Sequence, residues 1–215
     1  MFGRDKALGA DNQQGSRPAE SGVDPSETTR RTPEASSREE ILAYLQGAMH
    51  DASLNKGKRI RFVQKYREWL MILQGLLSTI KAHSWIYKEG KTRNLYVLET
   101  VCKDLSFNFD PRTCQSARQK ISYIKGFFDA EGGIPRNGKR FYVQLSQKDY
   151  SKVELLKKFL VDLGIESGKI HNPSKQVDPD YWRIFIATNS HKKFADIINS
   201  DHPIKKKIFR QRMMI

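Results

Sequence analysis

The sequence predicts an α+β fold made by duplication, and three observations predict it. Two apolar helices, each opened by a capping box, carry a glycine on one face and end among acids. Each is followed by a strand that closes on Gln-Lys and runs into an amphipathic helix, Arg59 to Lys65 in one place and Tyr142 to Lys148 in the other. Each set then reaches a further apolar strand, Asn94 to Thr100 and Trp182 to Thr188. A repeat of roughly 80 residues in one element order marks a duplicated domain rather than a solenoid.

The second copy is the better formed. Ser116, three residues before Gln119, is a capping-box start, so a helix is expected from about Ala117 to Ala130. Gly126 and Ala130 lie four apart on one face and let another backbone approach closely. Asp129 and Glu131 then stand at the helix C-terminus, where the dipole disfavours carboxylates, ahead of Gly132-Gly133. An acid placed against its local preference suggests a nearby cation; the plain alternative is a solvated helix end with a glycine stop. In the first copy the helix is expected from Arg38 to about Asp51, behind Ser37 and Glu40.

The chain resembles the LAGLIDADG homing endonucleases of the two-motif, single-chain type, from about Ser37 onward. Gly126-Phe127-Phe128-Asp129-Ala130-Glu131-Gly132 is close to that family's signature, and Gln-Lys after the strand is a second shared feature. The resemblance implies two pseudo-symmetric αββαββα repeats, the two signature helices packed at the centre, and antiparallel saddle-shaped sheets that grip DNA. It implies a divalent metal, Mg²⁺ or Mn²⁺, held by Glu131 and Asp51. It also implies roles for Gln147 and Gln64 in orienting water, for Lys148 at phosphate, and for Lys205 or Lys206 near the active site. Asp129 is expected to cap or organise the helix end.

Domains follow from these boundaries: residues 1–36 as a disordered segment, 37–111 as a first repeat with a degenerate motif, 112–215 as a second with an intact one. The first segment is rich in Gly, Ser, Pro, Glu, Thr and Arg and has almost no aliphatic residues, so burial cannot offset its ordering entropy. In the first repeat, strand Arg59 to Gln64 puts Ile60 and Phe62 on one face and Arg59, Arg61 and Lys65 on the other. A helix from about Arg67 to Lys81 buries Leu70, Leu73, Leu76, Leu77 and Ile80, and a hairpin joins Ser84–Lys88 to Asn94–Thr100. Pro111 breaks the chain before the second repeat.

In the second repeat Asn137-Gly138 is a two-residue hairpin signal joining Gly133–Arg136 to Lys139–Gln147. Phe141, Val143 and Leu145 face the core; Arg136, Lys139, Arg140, Tyr142, Gln144, Ser146 and Lys148 make the outer, nucleic-acid-facing set. A helix Tyr150–Leu163 ends at Gly164, strands lie near Lys169–His171 and Tyr181–Thr188, and a helix runs from about His191 to Asn199. The run Lys205-Lys206-Lys207 also reads as a plain charged tail. Trp69, Trp85 and Trp182 are expected to fill cores.

Composition narrows the function. The 215 residues carry 38 Lys and Arg against 24 Asp and Glu, net +14, which points to a polyanion or an anionic surface. No apolar run approaches the ~18 residues of a spanning helix, and the N-terminus lacks a signal-peptide core, so no membrane role is expected. Two cysteines without ligand spacing fit a reducing, intracellular setting: cytoplasm, nucleoid or organelle. Double-stranded DNA is the expected partner, with intron RNA as another, and the protein is expected to act as a pseudo-twofold monomer encoded within a mobile element.

The first copy departs from the signature. Aligning Gly47 with Gly126 sets His50 opposite Asp129 and Ala52 opposite Glu131, while Asp51 falls one residue early, about 100° around a regular helix. A double-strand cutter using Asp51 and Glu131, a nickase using Glu131, and a binder that does not cut all remain open. An RNA splicing cofactor (maturase) on the same scaffold is the other alternative.

Overall fold

The computed structural model describes residues 36–135 and 140–213. The expected disorder of residues 1–36, up to Ala35, and the Asn137-Gly138 turn with Arg136 and Lys139 lie outside the described residues. Helix α1, Arg38–Ala48, is capped by Ser37, whose Oγ accepts from Glu40 N at 3.2 Å. Two acids in its first turn, Glu39 and Glu40, complement the positive end of the dipole. The sequence reads as helix through Asp51, but Met49–Asp51 tighten into a 3₁₀ turn and Ala52 is extended.

That early exit starts an unpredicted strand, β1 (Ala52–Asn55), which pairs antiparallel with β2 (Arg59–Gln64). Lys56 and Gly57, at φ 50 and 66, form the tight turn between them, because two positive φ angles match the right-handed strand twist. Only Leu54 is strongly apolar in β1, so its pattern carries no strand signal. Helix α2 (Arg67–Thr79) follows, then β3 (Ser84–Lys88) and β4 (Tyr96–Thr100), in a four-stranded antiparallel sheet ordered β1-β2-β4-β3. Ile60, Phe62 and Leu98 pack inward against Trp69, Leu70, Leu73 and Leu77.

The second half opens with α3 (Ala117–Glu131), whose capping box between Ser116 and Gln119 is complete. Strand β5 (Gln144–Gln147), helix α4 (Tyr150–Asp162) and strand β6 (Trp182–Phe185) follow. Bridges Gly133↔Gln144 on one side and Ser167↔Ile186 and His171↔Arg183 on the other extend β5–β6 in the same strand order as the first sheet. Of the expected strand Lys139–Gln147, only Gln144–Gln147 is regular among the described residues. The register also corrects the repeat: Gln64 faces Tyr96 and Gln147 faces Trp182, so Trp182 matches Tyr96 rather than Asn94.

The expected closing helix of the first αββαββα unit is missing; residues 101–116 carry only a 3₁₀ turn at Pro111–Thr113. The second unit instead has two helices, α5 (His191–Ile197) and α6 (Pro203–Met213). The lysine run is therefore no plain tail: Pro203 supplies a helix-ready φ at the first position, and Ile208 and Phe209 bury. Cys102 and Cys114 are buried free thiols, and no described helix is long and apolar enough to cross a membrane.

α1 and α3 pack on each other through their glycines. A Cβ on Gly126 would sit 1.9 Å from Tyr44 O, and one on Gly47 would sit 2.2 Å from Tyr123 O. Both obstructions are backbone, so neither can step aside. Gly47→Ala or Gly126→Ala is expected to cost about 3 kcal/mol or more in chemical denaturation. Gly75 in α2 has nothing within 4 Å of the same position, and Gly75→Ala is expected to stabilise by about 1 kcal/mol.

Candidate active site and nucleic-acid interface

The ends of α1 and α3 bring together the residues expected from sequence. Asp51 leaves the 3₁₀ turn half-buried and accepts a hydrogen bond from Gln64 Nε2 on β2. Glu131 ends α3, also half-buried. Burial pushes the Asp51 carboxyl above its usual range, against the Gln64 hydrogen bond and the charge of Lys205. Burial pushes Glu131 up too, and the neighbouring charge of Asp51 adds to it while Lys205 opposes it. Asp51, one residue early in the motif, is the last residue of the 3₁₀ turn Met49–Asp51, where each residue turns the chain by about 120° rather than 100°.

Lys205, on the first turn of α6, is the cation between them. Its ammonium donates to Phe128 O and, at 2.9 Å, to Asp129 O, at the negative end of α3. Burial lowers its pKa to about 8 despite Asp129, Glu131 and Asp51 around it. Lys206 instead faces Asp201 at the surface, 3.8 Å away. Among the candidate lysines the fold thus brings Lys205 to the acids.

Asp129 is 1% exposed and takes no part in the open site. Tyr44 Oη on α1 donates to it at 2.7 Å, Asp201 N at 3.0 Å, and Ser200 Oγ also donates. Burial raises its pKa, opposed by those three hydrogen bonds and Lys205. It ties α3 to α1 and to the segment that delivers Lys205. Gly132 and Gly133 admit no side chain, since a Cβ would meet the Phe128 ring at 2.1 Å and the Gln144 side chain at 2.4 Å respectively.

The twofold-related corner is different. His50 stands where Asp129 does, with Tyr123 for Tyr44. Gln147 Oε1 accepts from Lys148 N at 2.7 Å, so its amide nitrogen faces His50 Nδ1, at 3.0 Å. Nδ1 is therefore the acceptor and Nε2–H donates to Tyr123 Oη at 2.8 Å. Gln147 is thus engaged with His50, whereas Gln64 reaches Asp51. The Tyr–Gly spacing shared by the two copies was the visible signal for Tyr44 and Tyr123; Ser200 and Asp201 had none, because their contacts are tertiary.

The sheet faces qualify the expected DNA-contacting set. Lys65, Arg140 and Lys148 are exposed. Arg59 pairs with the buried Glu99 at 2.8 Å and Arg61 with Glu89, so neither guanidinium is unpaired. Although burial raises Glu99, hydrogen bonds from Asn55 and Tyr87 and the charges of Arg59 and Arg61 hold it below the usual range. Trp85, expected in a core, shares the outer face with Glu99 and lies 5.9 Å under Arg59. Ser146 points outward by register but is 8% exposed, being hydrogen-bonded to Tyr181. Tyr142 and Gln144 remain on the outer face, half-buried.

No cluster of three or more His, Cys, Asp or Glu side chains suited to a metal forms among the described residues. Two half-buried carboxylates, one of which, Asp51, raises the proton affinity of the other, Glu131, suit a hard divalent cation, which takes few protein oxygens and fills its shell with water and phosphate. The residues present fit such an ion.

Residues 118–199 match the family model of the LAGLIDADG-like domain. A curated relative, the homing endonuclease I-ApeI of Aeropyrum pernix, is 27% identical across 77% of this chain and 84% of its own. Residues 118–199 are thus similar to a LAGLIDADG-like domain. Among solved structures, I-DmoI in complex with DNA and manganese is 22% identical over 77% of this chain and 99% of that one, with a TM-score of 0.58. The N-terminal LAGLIDADG domain of DUF199/WhiA is 17% identical over 76% of this chain and 82% of that one, at 0.60. These likenesses establish the LAGLIDADG fold for residues beyond the matched domain, including the degenerate first copy.

His50 gives this site a pH signature in stability. Its pKa falls from 6.5 to about 4, by burial first and the charge of Lys152 second. The unfolded chain therefore binds the proton first, so the contribution is whole above pH 6.5 and is lost as pH falls toward 4. Between pH 7 and 4 the stability advantage of wild type over His50→Gln is expected to shrink by about 3 kcal/mol, measured by urea denaturation at each pH.

Proposed function

We infer that this chain is a site-specific DNA endonuclease of the homing type, working inside the cell as a pseudo-twofold monomer. The observation that carries it is the convergence of Asp51, Glu131 and Lys205 at the ends of two glycine-packed helices. The kinship with a homing endonuclease and the basic balance of +14 support it. Because both halves lie in one chain with different outer faces, the site read need not be palindromic.

Asp51 and Glu131 would hold the divalent ion, Mg²⁺ or Mn²⁺. When bound it supplies a more acidic water and neutralises a leaving oxygen. Gln64 holds the Asp51 carboxylate in one orientation. Lys205, fixed by two main-chain carbonyls, places a positive charge beside both acids and limits their repulsion before substrate arrives. A partly desolvated ammonium is also positioned to stabilise charge on phosphate. Lys148 and Lys65, exposed just after the two Gln positions, are placed for phosphate contacts.

The halves are not equal chemically. In the second, Gln147 is held by His50; in the first, Asp51 keeps its glutamine. This inequality favours a nickase or a non-cleaving binder as the second reading.

The protein and its variants, incubated with a supercoiled randomised plasmid library and Mg²⁺, separate these outcomes. Linear product sharing one flanking motif is expected from wild type. Glu131→Gln should lose linear product while retaining DNA affinity, and Lys205→Met should slow cutting by about 100-fold or more. Asp51→Asn should leave only open circles. Open circles from wild type would make it a nickase, and intact circles with salt-sensitive binding would establish the binder.

A further inference from the structure

The two sheets answer their arginines differently. On the first outer face Arg59 and Arg61 each meet a carboxylate, Glu99 and Glu89. On the second, Leu145 and Ile184 face the core, while the neighbouring pair Ser146↔Arg183 points outward. No carboxylate pairs with Arg183 among the described residues. Its guanidinium carbon lies 5.3 Å from the Tyr181 ring centroid and 5.5 Å from that of Phe185. Phe185 is in turn stacked by His171, with 5.6 Å between ring centroids and 22° between planes. The Tyr142 ring meets Phe185 edge-on at 5.8 Å.

Arg183 Nη2 reaches Tyr181 Oη at 3.4 Å, and Nε is buried with no hydrogen-bond partner. Two rings thus fix the plane of a guanidinium whose donors are largely unspent. Such a group has already given up much of its rotamer freedom, so a ligand that engages it loses little entropy. β6 is an inner strand of its sheet, flanked by β5 and the 167–171 edge. A cation in the middle of the face meets groove-exposed base edges, whereas phosphates run past the rims.

Resting on the DNA-binding reading above, we propose that Arg183 reads a guanine in the half-site under the second sheet. The guanine major-groove edge offers N7 and O6, two acceptors matching the guanidinium fork. The register places Val97, which is fully buried, at the twofold-related position. The guanine is therefore specified in one half-site only. Tyr181, Phe185 and His171 act as positioning residues that hold the fork.

The test selects sites from a randomised duplex library by binding, with Ca²⁺ in place of Mg²⁺, for wild type, Arg183→Lys and Arg183→Gln. Wild type is expected to fix a guanine at one position of one half-site. Both variants should lose that preference by about 10- to 100-fold while other positions hold. Arg183→Lys keeps the charge and so the slope of log affinity against log salt. Unchanged base preferences with uniformly weaker binding would make Arg183 a phosphate contact and overturn the assignment. If wild type selects no site at all, the DNA-reading inference falls, and this one with it.

Discussion

The contact between α1 and α3 at Gly47 and Gly126 is the constraint on which the rest depends. Each glycine rests on the carbonyl of the other helix's tyrosine, at Tyr123 and Tyr44. Only this approach brings the two helix ends near enough for Asp51 to raise the proton affinity of Glu131. The same approach sets Tyr44 over Asp129 and Tyr123 over His50. Packing and chemistry are therefore one arrangement: the helices that join the two cores also aim the acids.

Both halves share this frame, and the side chains at its corners differ. In one corner a buried carboxylate gathers Tyr44, Ser200 and Asp201 and anchors the C-terminal helices. In the other a neutral imidazole joins Tyr123 to Gln147. Both networks satisfy their polar groups, which is what burial demands. They do so with opposite consequences for the adjacent glutamine, which is occupied in one half and turned to an acid in the other.

Most of the architecture was legible in the chain. The capping boxes, the Gln-Lys strand ends and the glycines on the two helix faces are local signals, and the helices and inner strands followed them. What escaped was set by tertiary contacts. β1 forms because Ala52 leaves the helix early and finds β2 as a partner, which its own composition does not announce. α6 looked like a charged tail because only Ile208 and Phe209 mark its buried side. At the site, Glu131, Asp51, Gln64 and Lys205 were placed by resemblance and meet in space. The pairing of Arg59 and Arg61 with Glu99 and Glu89 was invisible, because it joins residues 28 and 40 apart in sequence. Arg183 was passed over because nothing in the sequence shows which arginines end without a carboxylate.

Lys205 donates its hydrogen bonds on α3 to the carbonyls of Phe128 and Asp129, and its ammonium lies 5.0 Å from the Phe128 ring centroid. Main-chain oxygens are the same whatever residue carries them. Those two hydrogen bonds are therefore indifferent to which side chain stands at the helix tip, position 131. A change at Glu131 can thus leave the cation in register, provided Asp129 still anchors the segment that carries it.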